Sequence, residues 1–434
     1  MPVIYFDNFR GFNNTFLPLK DVNFFVGENS TGKTSVLQLI KIVSDAKFLF
    51  TQDFNTDDVE LGYFSEIAGN KGDYFEIGIL GDKKDKNCIS ALKLKYINKN
   101  GLPYLQEVCM IEKNLNLQLL SESNTKLTFR HETVDLGKVD ESNKLQHFKL
   151  WIKNNGLKNI EYKDTLHSSE NFMNGLFFHI QIIIATQIIK NNKEDKLSGI
   201  RMPAFLRDIS WLAPIRTEPK RTYDSYKILF NSSGSHSPYL LKRLLEKTNK
   251  GQKKVKNILE KFGQDSGLFE GISIKTLGDS ETSPFELQVQ LFENSLKITN
   301  VGYGVSQILP LIVEVLASEN DSWFAIQQPE IHLHPKAQAA FGDFIFKSGI
   351  AENKSFIIET HSDFTIDRFR LKVHNHNKTK SRKRLSSQVV FFNRTSSGNE
   401  LSTVSINDDG SYSDNQPKGF RDFFLKEELE LLKM

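Results

Sequence analysis

The residues of this chain whose types and spacing could do chemistry begin with GENSTGKTS, Gly27 to Ser35. A glycine, four residues and then Gly32-Lys33-Thr34 is the spacing of a loop that cradles phosphates. Gly27 and Gly32 let the backbone curl so that the N–H groups of Glu28, Asn29, Ser30, Thr31 and their neighbours converge on an anion. Lys33 neutralises the terminal phosphate oxygens, Thr34 offers a hydroxyl to Mg²⁺, and Ser35 continues the turn into a helix. A second group lies far along the chain. Gly304 and Ser306 open an apolar run, Gln327 and Gln328 follow a short apolar strand, and His361 follows another.

Such groups work only if the chain holds them. Val22-Asn23-Phe24-Phe25-Val26 predicts a buried strand before the loop. Val36, Leu39, Ile40 and Val43 predict a helix after it, so that phosphates would meet a helix N-terminus. Val3–Phe6 and Tyr74–Leu80 read as further strands, and Arg10, in a turn, either reaches the nucleotide or is a surface cation. Asn300 to Leu316 puts a glycine turn before an apolar helix, and Phe285 to Ile298 reads as a strand pair turning at Glu293-Asn294. Trp323–Ile326 and Ser355–His361 read as strands with polar carboxyl ends, the layout of an open parallel α/β sheet that binds ligands beyond those ends. The expected organisation is an N-terminal lobe over 1–81, an inserted mixed α/β region over 82–200, and a C-terminal lobe over 201–434.

Bulk properties narrow the classes. A net charge of +3 excludes a global preference for nucleic acid, so any basic surface must be local. Cys88 and Cys109 form neither a disulfide framework nor a metal spacing, and no signal peptide is apparent, which together read as cytoplasmic. Leu176 to Ile189 is too short and too interrupted by polar residues to span a bilayer, so no membrane association is expected. His131, His147, His167 and His179 are irregularly spaced and read as solvated or core histidines. Glu330, His332 and His334 alternate in a pattern open to zinc, but the likeness of this stretch to a nucleotide motif accounts for them without metal.

Taken together, the motifs resemble ABC-type ATPases of the RecF, SMC and OLD group, whose two heads sandwich two nucleotides. GENSTGKTS resembles their phosphate loop, and GYGVSQ, Gly302 to Gln307, their signature turn. FAIQQPEIHLHP resembles their second nucleotide motif running into a D-loop at His334 and Pro335, and ETHSD their switch histidine at His361. The resemblance covers residues 1–80 and 200–420. It implies an ABC-ATPase head with an inserted middle region and no long coiled coil, binding ATP and Mg²⁺ through Lys33 and Thr34. It further implies head-to-head dimers, with Gly304 and Ser306 completing the site of the opposite head and His361 sensing the γ-phosphate.

One departure matters. The family ends its strand on two acids, one holding the Mg²⁺ shell and the next polarising water, where this chain has Gln327 and Gln328. An amide can bond a Mg²⁺-bound water but cannot take a proton, so hydrolysis should be slow while binding survives. Three explanations stand: a natural ATP-binding switch, recruitment of Glu330 or Glu359, or a Glu→Gln replacement at Gln327 that traps bound ATP, which the resemblance favours.

Partners follow from the same likeness. OLD-type relatives carry a fused TOPRIM nuclease, for which this sequence leaves no room after Gly410. The chain resembles stand-alone ATPase subunits of anti-phage systems of the PARIS and Septu type, which implies a homo-oligomer holding a separately encoded TOPRIM or HNH nuclease. The alternative is a DNA-repair or chromosome-associated clamp, touching nucleic acid through the basic segments 242–261 and 374–384. Arg216, Lys220 and Arg221 form a proline-broken basic loop, open to phosphates, to a partner subunit or simply to solvent. Lys418 to Met434 reads as a terminal helix.

Overall fold

The computed structural model describes residues 1–69, 72–81, 89–113, 115–121, 126–134, 139–140, 142–154, 160–164, 180, 183, 208–214, 216–224, 229–246, 250–280, 283–379, 383–417 and 419–420. The chain forms two compact units. One consists of Met1–Lys20, Asn29–Ile209 and Phe392–Leu401, the other of Asp21–Glu28, Ser210–Phe391 and Ser402–Met434. His167, His179, Cys88, all but two residues of 176–189, and nearly all of 418–434 lie outside the described residues.

The first unit is built on an eight-stranded sheet in the order β2-β1-β4-β5-β6-β7-β8-β9. Its strands are β1 (Val3–Asp7), β2 (Thr15–Pro18), β4 (Tyr74–Leu80), β5 (Ile89–Lys99), β6 (Leu102–Lys113), β7 (Leu115–Ser121), β8 (Leu127–Thr133) and β9 (Lys163–Asp164). Each neighbouring pair in it is antiparallel. Asn100 and Gly101, both at positive φ, make the two-residue turn between Lys99 and its partner Leu102. That is the Asn-Gly hairpin geometry whose twist matches the strands it joins. Helix α1 (Lys33–Ser44) buries Val36, Leu39, Ile40 and Val43, the four positions expected of its inner face. Helix α2 (Lys144–Asn154) packs Phe148, Trp151 and Ile152 into a core with Val3, Tyr5 and Ile111.

The second unit holds most of a six-stranded sheet in the order β10-β14-β15-β3-β16-β17. These strands are β3 (Val22–Gly27), β10 (Ile209–Leu212), β14 (Trp323–Gln327), β15 (Ser355–Glu359), β16 (Ser387–Thr395) and β17 (Gly398–Ile406). β14 and β15, and β15 and β3, pair in parallel. A parallel strand is covered on both faces and reads as a continuous apolar run; Phe24, Phe324 and Phe356 are accordingly fully buried. Each such side chain contributes about 1.5–3 kcal/mol by leaving water. A three-stranded antiparallel sheet, β11 (Gly271–Thr276), β12 (Phe285–Leu291) and β13 (Asn294–Lys297), belongs to the same unit. Its β12–β13 turn falls on Phe292-Glu293, one residue before the expected place, because Leu291 pairs with Asn294.

Five helices complete this unit: α3 (Ser237–Glu246), α4 (Lys250–Ser266), α5 (Tyr303–Ala317), α6 (Pro335–Glu352) and α7 (Asp363–Lys378). The basic 242–261 segment thus runs through two helices, α3 and α4. The first five residues of the basic 374–384 segment end α7. α6 and α7 pack very closely at Gly342, where a Cβ would stand 3.2 Å from the Thr365 carbonyl carbon and nearer still to its oxygen. The α/β class and the parallel strands expected from the sequence are present.

Candidate nucleotide site

The phosphate loop crosses from one unit to the other between Glu28 and Asn29. Gly27 ends β3 at φ 140°, Ser30 sits at φ 61°, and Gly32 precedes α1 at φ 92°. Left-handed backbone costs an L-residue roughly 1–2 kcal/mol, and Gly32 escapes it. Space demands glycine as well: a Cβ at Gly32 would lie 2.7 Å from Phe12 Cζ and closer still to Cε2. α1 has no side-chain cap and no acid in its first turn, an arrangement that suits an anion at its N-terminus. Glu28, Asn29 and Ser30 are exposed, Thr31 and Lys33 buried, and Thr34 and Ser35 half-buried. Curled glycines, an uncapped helix start and a lysine in its first turn fit a triphosphate.

Within the first unit, several groups brace this loop. Arg10, itself at φ 42°, donates from Nη1 to Ser35 Oγ at 3.1 Å, from Nη2 to the Leu61 carbonyl at 2.7 Å and from Nε to the Glu66 carbonyl at 3.1 Å. Its guanidinium is engaged in holding the first turn of α1 against the following loop. Arg394, from the β16–β17 hairpin, donates to the Ser30 carbonyl. Asn399 donates to the Arg10 carbonyl at 3.0 Å. Arg394 and Asn399 also line a cavity of about 410 Å³ with Asn8, Asn13 and Gly11. Neither Arg394 nor Asn399 stood out in the sequence, where nothing marks a hairpin nearly 400 residues from the turn it meets.

The second unit carries the strand-end groups. β14, β15 and β3 stand in register, Gln327 beside Glu359 and Glu359 beside Phe25, and Gly27 and Glu28 follow at the same edge. Gln327 and Gln328 are half-buried. Gln328 donates its N–H to the Glu359 carbonyl at 2.8 Å and adopts φ 43°, left-handed and directly before Pro329. His332 is left-handed too, at φ 63°. Such conformations outside glycine gather at functional turns.

Both oxygens of Glu330 are engaged: one accepts from Thr360 Oγ1 at 2.8 Å and the other from the His361 N–H at 2.7 Å. It therefore acts as the anchor of the His361 turn. Ser362 caps α7, accepting from the Thr365 N–H at 3.1 Å, which fixes exposed His361 one residue before the helix. Ser306 is buried with its hydroxyl donated to the Tyr303 carbonyl at 2.9 Å, while Gly302 and Tyr303 are exposed. Gly304 lies against the turn at His332, where a Cβ would be 3.1 Å from the His332 carbonyl oxygen, and the Tyr303 and His332 rings stand 5.8 Å apart. Gln327, Gln328, Glu330, His332, Gly304 and His361 thus belong to one unit. Among the described residues no three His, Cys, Asp or Glu side chains group as metal ligands.

Arg216 is the cation the sequence left undecided. Its side chain is buried, donating from Nη2 to the Gln327 carbonyl at 3.3 Å, and its N–H reaches Gln307 Oε1 at 3.4 Å. Burial lowers its pKa to about 10, against the pull of Glu330. Lys220 and Arg221 are exposed.

The model of the family described as AAA ATPase domain matches residues 3–366, most of the chain. This chain belongs to that family. No curated protein matches it. Among solved structures, an Smc head bound to the C-terminal winged-helix domain of ScpA aligns at 10% identity and a TM-score of 0.42, over 93% of this chain and 97% of that one. A Smc head with an extended coiled coil, bound to the C-terminal domain of ScpA derived from Pyrococcus furiosus, aligns at 10% and 0.40 over 100% and 99%. The SMC head from Thermotoga maritima aligns at 10% and 0.38 over 92% and 97%. These likenesses are too distant to bear on function.

Proposed function

We propose that this AAA-domain protein is an ATP-binding, ABC-type ATPase that serves as a nucleotide-gated sensor and scaffold. The observation that carries the reading is the register of three parallel strand ends, Gln327 beside Glu359 beside Phe25, with the phosphate loop issuing from the last. In this reading Gly27 to Ser35 hold the triphosphate, with Lys33 on its terminal oxygens. Thr34 and Gln327 hold Mg²⁺, which supplies charge neutralisation of the phosphates. Gln328 orients water without deprotonating it. Glu330, bonded to Thr360 and the His361 N–H, holds the switch histidine in place. The turn at Gly302–Ser306 completes the site of a second copy through its exposed Gly302 and Tyr303, with Gly304 and Ser306 buried behind them, so the working form is a head-to-head dimer.

The resemblance to PARIS- and Septu-type subunits supports an anti-phage role in which the dimer holds a separately encoded TOPRIM or HNH nuclease and releases or activates it. A DNA clamp has less support. In the 242–261 segment Lys242, Lys254, Lys256 and Lys261 each have a carboxylate partner, Glu246, Glu352, Glu260 and Asp265. Light scattering with ATP–Mg²⁺ and with ADP tests the core of the reading. Mass should double with ATP alone and not in Lys33→Ala; an unchanged mass with ATP bound would overturn it.

A further inference from the structure

A cavity of about 560 Å³ lies within the second unit, between α4 and α6, and none of the residues that line it belongs to the nucleotide site. Ile258 and Phe262 on α4, and Ala340 and Phe344 on α6, form its apolar floor. Residues four apart on a helix share a face, so each helix contributes one wall. The Phe262 and Phe344 rings meet edge-on, their centroids 6.0 Å apart. Lys254, Lys261 and Lys347 line the same cavity. A lysine stem extends an apolar wall while its ammonium stays in water, and these three side chains are 60%, 62% and 53% exposed. The acids beside them are withdrawn and shared. Asp265, 28% exposed, stands 2.7 Å from Lys261 Nζ and 3.8 Å from Lys347 Nζ. Glu352, 18% exposed, pairs with Lys254 and, at 2.7 Å, with buried Lys354. Asp265 and Glu352 thus answer four ammonium groups, those of Lys254, Lys261, Lys347 and Lys354, and the groove keeps an excess of positive charge. The pattern continues on α7, where Arg368 and Lys372 share buried Asp343 at 3.8 and 3.2 Å.

We propose that the α4–α6 groove is the docking site of a protein partner, which enters as an amphipathic helix with acidic residues flanking its apolar face. The apolar stripe lies on Ile258, Phe262, Ala340 and Phe344, as helices seat in grooves through anchors about one turn apart. The flanking carboxylates meet Lys254, Lys261 and Lys347 at the rim, where complementary charge selects the partner more than it sets affinity. The excess positive charge favours this occupant over a basic helix. The apolar floor favours it over nucleic acid, whose backbone presents phosphates. The inference deepens the scaffold reading above, from which it takes only the existence of a protein partner. Its experiment uses no nucleotide, so the two readings fail separately.

The probe is a fluorescent synthetic helix of leucine, alanine and glutamate with leucine along one face, beside a twin in which lysine replaces glutamate. Anisotropy reads their binding to the full chain. The acidic helix should bind saturably and the lysine twin at least about tenfold more weakly. Lys261→Glu/Lys347→Glu should weaken the acidic helix at least about tenfold and strengthen the twin, because both rim charges are reversed. Lys261→Gln/Lys347→Gln reverses no charge, guards against a variant that merely fails to fold, and should give a smaller loss. Ile258→Ser, on the floor, should weaken the acidic helix at least about threefold. Lys220→Glu/Arg221→Glu makes the same charge change at exposed residues of another loop and should bind as the parent does. No saturable binding, equal or tighter binding of the lysine twin, or an equal loss in the Lys220→Glu/Arg221→Glu control would overturn the proposal. So would duplex DNA binding more tightly than the acidic helix and being lost in Lys261→Glu/Lys347→Glu. Two further results would overturn it by giving the groove another occupant. Binding of the acidic helix only after deletion of residues 421–434 would make that segment the occupant. A change in the mass of the chain alone in Lys261→Glu/Lys347→Glu, read by light scattering, would make the groove a face between copies.

Discussion

Replacing Gly32 by alanine puts the phosphate-loop account under the most local strain. The residue sits at φ 92°, which costs a side-chain-bearing residue about 1–2 kcal/mol. The new Cβ would also stand 2.7 Å from Phe12 Cζ, and Phe12 is itself locked, fully buried and edge-on to Phe6 and Phe392 at centroid distances of 5.3 and 6.1 Å. Overpacking of this kind typically costs about 1–3 kcal/mol. The total is about 2–5 kcal/mol, and the protein can meet it in two ways. It can bear the strain, and the unfolding free energy falls by that amount. Or the loop can shift, and the amides and Lys33 lose their alignment, with each 1.4 kcal/mol reducing nucleotide affinity about tenfold. Gly302→Ala is the matched control: it has φ −62° and nothing within 4 Å of a Cβ, so it should change stability by less than about 0.5 kcal/mol. Chemical denaturation and titration with a fluorescent ATP analogue read both arms. Parent-like stability together with parent-like binding in Gly32→Ala would refute the loop geometry described here.

Other expectations are equally direct. Glu330→Ala removes the acceptor of two hydrogen bonds and strands the Thr360 hydroxyl and the His361 N–H, so denaturation should show a loss of about 1–3 kcal/mol. Gly342→Ala drives a Cβ into the backbone at Thr365 and Phe369; with backbone on the far side, the loss should be about 1–3 kcal/mol or more by the same measurement. Changing Lys254 and Lys261 together to alanine should leave any DNA affinity nearly unaltered, because both are engaged with carboxylates, Glu352 and Asp265. Fluorescence anisotropy across a salt series would instead show the slope falling by about two if both met phosphates.

Much of this was legible because it is local. The phosphate loop, the strand before it and the buried face of α1 lie within Val22 to Ser44, where spacing alone sets strand, turn and helix. The same holds for the Gln327 and Glu359 strand ends, each a short apolar run stopped by polar residues. The eight-stranded sheet was only partly anticipated, although Asn100-Gly101 between apolar stretches carries a hairpin signal. What could not be read was non-local. Arg216 sits among basic residues that look solvated, and only the fold shows it buried beneath Gln327 while Lys220 and Arg221 remain outside. Arg394 and Asn399 reach the loop from a hairpin whose sequence is ordinary. In the basic stripe of α3 and α4 the partners Glu246, Glu260 and Asp265 are helical neighbours that a sequence shows, while Glu352, the partner of Lys254, comes from another helix.

The most direct measurement is ATP turnover by this chain beside Gln327→Glu, with Lys33→Ala as the blank. The account predicts that the chain binds ATP, that its turnover is barely above the blank, and that Gln327→Glu, which returns a negative charge to the Mg²⁺ position, is faster. Equal turnover by the chain and by Gln327→Glu, both well above the blank, would contradict it and move the acid's role to another residue.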